Sequence, residues 1–146
     1  MDTSNTSILD TAKKYFEDLD NGQLLDTLFA PDFEFYFPKF GVGRGIEEFY
    51  ECGAGLMGSM QGMVHHRDQF KYHVSDLTVI VEGTSHGTDK EGLNWDGGKT
   101  PGGRFCNVFD FTGDGRIKRM YIYLDPDYTS RDKDRFHWKR AEPHRW

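Results

Sequence analysis

The sequence predicts a single α+β domain in which helices come first and an antiparallel sheet follows. Three observations carry this expectation. Apolar residues near the N-terminus recur at helical spacing, those from Arg67 onward alternate with period two, and 146 residues suit one core. Hydrophobic residues make up only 36%, but aromatics reach 15%, and twelve Phe, seven Tyr and three Trp can bury a large area.

Ser7, with Asp10 three residues on, reads as a helix start. Ile8, Ala12, Tyr15, Phe16 and Leu19 then form one apolar stripe, and Asn21-Gly22 ends the helix. Leu24, Leu25, Leu28 and Phe29 predict a short second helix stopped by Pro31. Phe33, Phe35 and Phe37 alternate with Glu34 and Tyr36, a strand closed by Pro38. A GVGRG turn leads to a third helix marked by Ile46, Phe49, Gly53, Leu56 and Met60. Its glycines at 53, 55, 58 and 62 each cost about 1 kcal/mol relative to alanine. They serve either close packing or room for a ligand or a moving lid.

Four further strands are expected. Phe70, Tyr72 and Val74 mark the first, and residues 77–87 the second. A Gly-rich loop over 89–103 precedes the third, residues 104–111, and a TGDG turn makes a hairpin with the fourth, residues 117–124. The domain is placed at residues 1–128, with a basic tail at 129–146.

Net charge is −6, which argues against nucleic acid, although the segment from Arg131 carries six Lys/Arg against three acids. A tail of +3 on a body of −9 points to docking on its own body or on a partner subunit. Phe136, Trp138 and Trp146 fit such an arm. Cys52 and Cys106 read as buried thiols. No apolar run is long enough for a membrane span, and the start MDTSNTS has no signal-peptide pattern, so a cytoplasmic protein is the default expectation. Six histidines without His-x-His or HExxH spacing predict no metal, and no organic cofactor is expected.

The strings AKKYFEDLDNGQLLDTLFAPDFEFYFP, GRGIEEFYE and FCNVFDFTGDGRIKRMYIYLDP, in that order, resemble the nuclear transport factor 2-like superfamily, in particular its polyketide-cyclase-like (SnoaL-like) branch. The resemblance spans residues 7 to 128. It implies a cone whose curved sheet wraps a hollow closed by helices, and commonly a homodimer through the outer sheet face. It also implies cofactor-independent acid–base chemistry on a small hydrophobic, aromatic or polycyclic substrate, of lyase, dehydratase, isomerase or cyclase type. The superfamily includes plain binding modules too, so function must be argued from the site.

Alternation puts Phe105, Asn107, Phe109 and Phe111 on one face, with Asn107 the polar interruption. The resemblance gives Asn107 the place of an oxyanion donor and Tyr15 that of a hydrogen-bonding tyrosine. The isomerase branch has a catalytic Asp before the proline that ends its first strand. Phe37 stands there, so the base is sought elsewhere. Asp125, in YLDPDY, is similar to the terminal acid of the cyclase and epoxide-hydrolase branches, although simple alternation turns it outward. His86 is the other candidate base. Trp95 and Arg104 are expected to grip the substrate from the loop. His65, Tyr36, Met120 and Leu124 complete the expected lining. His65 and His66, adjacent in a strand, point opposite ways.

Overall fold

The structure is a computed structural model that describes residues 3–24, 26–140 and 144–146, with side chains of residues 3–6 excepted. Two helices pack on a curved, open, mixed sheet of eight strands. In chain order these are α1 (Thr3–Asp20), β1 (Phe29–Phe37), β2 (Gly41–Arg44), α2 (Gly45–Met57), β3 (Met60–His65), β4 (Lys71–Ser75), β5 (Thr78–Asp89), β6 (Asn94–Asp96), β7 (Arg104–Phe111) and β8 (Ile117–Leu124). The main path across the sheet runs β2-β1-β8-β7-β5-β3, with β4 and β6 also paired to β5.

The stripe expected on α1 is the buried one: Ile8, Ala12, Tyr15 and Phe16 are at most 2% exposed. At its end Gly22 takes φ 68 while Gln23 N–H donates to Asp18 O, a Schellman-type cap. That cap fixes Asp20 on the last turn of α1. In α2, Glu48 reaches back to accept the Arg44 N–H at 2.7 Å.

Several expectations are corrected. The first helix begins at Thr3 rather than Ser7. The second helix shrinks to a 3-10 turn, Asp26–Leu28, and Leu25 lies outside the described residues. Phe29 already belongs to β1, and Pro31 falls where the β1–β8 register shifts, a place a strand can tolerate a missing N–H. The glycine-dense third helix ends at Met57, so Met60 and Gly62 lie in β3, a strand the sequence did not reveal. The sheet is not purely antiparallel, because β1 pairs with β8 in parallel.

The core is aromatic. Phe16 packs edge-on against Phe70 and Phe109 at 4.9 and 5.9 Å, and Phe29, Phe33, Phe35 and Phe49 continue the same core alongside α2. Each buried ring contributes about 1.5–3 kcal/mol from burial alone. The tail is rooted before it departs: Tyr128 and Ser130 are buried, and Arg131 pairs with Asp89 at 2.7 Å and Glu91 at 2.5 Å. Among the described residues, no helix is long and apolar enough to cross a membrane.

Candidate active site

Strand alternation turns Phe105 and Asn107 of β7, and Met63 and His65 of β3, toward α1 and α2. Between these elements lies a pocket of about 70 Å³. Phe16, Leu19, Phe37, Phe49, Phe105, Ile122 and Leu124 supply its apolar wall, with Cys52, Gly53 and Leu56 from α2. Tyr15, His65, Asn107 and Tyr128 supply the polar groups.

His65 and Asp20 form a buried pair, their side chains 8% and 5% exposed. His65 Nδ1 lies 2.6 Å from Asp20 Oδ1, and the His65 backbone N–H donates to Oδ2 at 3.2 Å. Arg67 Nε stands 3.4 Å from the same Oδ2. A carboxylate can only accept, so Nδ1 carries the proton in neutral His65 and Nε2 keeps its lone pair. The ring lies edge-on to Phe16 and Phe105, both 5.2 Å away between centroids. Asp20 sits at the negative end of α1, where the helix dipole disfavours a carboxylate. His65 and Arg67 offset that cost.

The other polar residues of the lining are buried, but their polar atoms are not sealed off. Asn107 is 2% exposed and Tyr15 1% exposed. Neither the Asn107 amide nor the hydroxyls of Tyr15 and Tyr128 hydrogen-bonds to any described residue. Among the described residues only Asp18 Oδ2 is a fully occluded side-chain polar atom without a partner, so the amide and the two hydroxyls reach open space, where they can bond to what enters it. Burial raises both phenols above their ordinary value, so each stays a donor at neutral pH. Burial, with Glu51 adding, also raises the Cys52 thiol.

The structure thus brings together four sequence-predicted residues, Tyr15, Asn107, His65 and Leu124, and adds Asp20 and Tyr128. The other candidates lie elsewhere. Asp125 is exposed, and its Oδ1 accepts the Asp127 N–H at 2.9 Å, the turn-forming role that a strand-end Asp before Pro126 serves. His86 is exposed on the polar face of β5, its Nδ1 2.9 Å from His66 Nε2. Arg104, also exposed, faces an outer groove with Lys71 and Glu82. Tyr36 belongs to the outer sheet face, its ring 5.7 Å from that of Tyr121. Met120 is fully buried core outside the lining. Trp95 is 2% exposed, donates Nε1–H to Ser85 Oγ at 3.1 Å and packs 4.8 Å from Tyr128. It therefore packs against a pocket residue and lies outside the lining of this pocket.

Asp20 was missed because LDNG reads as a helix end, and its partner is 45 residues away. The one signal was an acid where the helix dipole opposes it. Tyr128 was hidden by its place beyond the last strand.

Fold and site together define an α+β cone with an internal, mostly apolar pocket and a buried Asp–His pair in its wall. The model of the SnoaL-like domain matches residues 12–120, and the chain belongs to that family, within the nuclear transport factor 2-like superfamily. Solved structures with the same fold include a nuclear transport factor 2-like protein of unknown function from Burkholderia pseudomallei, with TM-score 0.72, 17% identity, and 85% of this chain and 98% of that one covered. Another from Anabaena variabilis has TM-score 0.69, 19% identity, and coverage of 88% and 94%. A candidate polyketide cyclase from Xanthomonas campestris has TM-score 0.68, 17% identity, and coverage of 84% and 93%. No curated protein matches the chain.

Proposed function

We propose that this protein is an enzyme performing acid–base chemistry on a small, largely apolar substrate, of the isomerase, dehydratase, lyase or cyclase kind. The observation that carries this reading is the buried His65–Asp20 pair beside three hydrogen-bonding side chains that line the same pocket. One neighbour's description as a polyketide cyclase is consistent with it.

In this mechanism His65 Nε2 takes a proton from carbon or oxygen of the substrate. Asp20 holds the ring and stabilises the imidazolium that forms. The electron pair moves onto a substrate oxygen, where the Tyr15 and Tyr128 hydroxyls and the Asn107 amide donate to it. His65 then delivers a proton, the one it took or one exchanged with solvent, either to another atom of the substrate or to a leaving group. The chain's own groups supply base, acid and donors, and the apolar wall keeps competing water away.

The test follows proton–deuterium exchange and turnover by NMR on a panel of small enolisable ketones and hydroxylated one-ring aromatics. His65→Gln is expected to lower the rate about 100-fold or more, and Asp20→Asn similarly, while Asp125→Asn and His86→Gln stay within about twofold. A His65→Gln protein as active as the wild type would remove the mechanism. The rival reading, a binding module without catalysis, draws on the phenylalanines that fill most of the interior. It predicts ligand uptake with no exchange in any variant.

A further inference from the structure

Several glycines of this chain have evident structural reasons. A Cβ at Gly87 would meet Gly62 O at 2.3 Å, and one at Gly102 would meet Tyr128 O at 2.0 Å. Gly22 and Gly103 take φ 68 and 89. Gly53 has no such reason. It is helical, within α2, and a Cβ there would meet nothing within 4 Å. Alanine would serve the helix better at such a position. Gly55 shares this freedom, but only Gly53 lines the pocket.

The pocket itself is small. Its 70 Å³ is less than half of the roughly 150 Å³ in which an apolar cavity takes up benzene. A single ring more than fills it, so a second ring has to extend beyond the lining. Among the lining residues, Gly53 is the one with open space where a side chain would stand.

We propose that Gly53 is a specificity-determining residue. Its missing side chain leaves the mouth through which the non-reacting end of an elongated aromatic substrate projects, while the reacting end meets His65. The inference rests on the reading of this pocket as a ligand site, and it names the substrate class: a phenol-like reacting end carrying an apolar extension.

The test measures binding of phenol and of 4-phenylphenol to the wild type, Gly53→Ala and Gly53→Leu by calorimetry, with melting temperatures alongside. Gly53→Ala is expected to melt about 3 °C higher than the wild type, since nothing obstructs the new methyl group. Gly53→Leu is expected to weaken 4-phenylphenol by about tenfold or more and phenol by less than about twofold. Equal losses for both probes, no loss for either, no uptake of either by the wild type, or a lowered melting temperature for Gly53→Ala would each overturn the proposal. Binding is read here rather than turnover. A His65→Gln protein that kept full activity would therefore sink the acid–base mechanism and leave this result standing.

Discussion

Asn107 shows how a single residue can be unfavourable for stability and still suit the proposed chemistry. It stands in a row of phenylalanines on β7, 2% exposed, with its amide on the pocket and bonded to no described residue. An apolar side chain with the same number of heavy atoms would remove the amide's desolvation cost and extend into the open pocket space. Asn107→Leu is therefore expected to raise stability by about 1 kcal/mol in urea unfolding while slowing turnover at least tenfold. A variant both less stable and fully active would show the amide to be structural. This residue was legible in the sequence because alternation alone assigns its face. Asp125 was placed outward by the same rule, and its functional candidacy required an irregularity that β8 does not have at that end. His65 was readable as a lining residue but not as half of an Asp–His pair, because the carboxylate is distant in sequence.

At the scale of elements, α1 does two jobs at opposite ends of its stripe. Its middle buries Ala12, Tyr15 and Phe16 against the sheet, and its last turn delivers Asp20 to β3. The left-handed Gly22 makes that delivery possible by turning the chain sharply after the helix. A Cβ at Gly22 would touch nothing, so Gly22→Ala tests backbone conformation alone. It is expected to cost about 1 kcal/mol and to reduce activity along with stability, because the strained cap moves the carboxylate that orients His65. Unfolding and rate assays on the same sample check both halves. Long periodic segments such as α1, β7 and β8 were readable in advance. The short elements β2, β3 and β6 were not. Glycine and polar residues in GVGR, MQGMVH and NWD obscure the period-two signal, and partner strands rather than local propensity make them extended.

For the whole molecule, the two buried phenols set an alkaline limit. Burial lifts both Tyr15 and Tyr128 above the ordinary phenol value of 10.0, and Cys52 adds to each shift. Above about pH 10 the unfolded chain releases these protons while the folded chain keeps them, so the unfolded state binds fewer protons and gains with rising pH. The stability linked to these groups is thus complete below about pH 10 and is lost progressively above it. Urea midpoints are expected to fall between about pH 9.5 and 11, and to fall less steeply in Tyr15→Phe, which has one fewer such proton. Identical slopes in the two proteins would contradict this assignment.

The wall formed by Tyr128 has one more consequence. The family match stops at residue 120, yet the hollow is closed by a ring eight positions later, braced by Trp95 and by the backbone against Gly102. The last strand and the pocket wall therefore end at different points of the chain. Mutational drift past the last strand can reshape the chamber while every β-ladder contact stays intact.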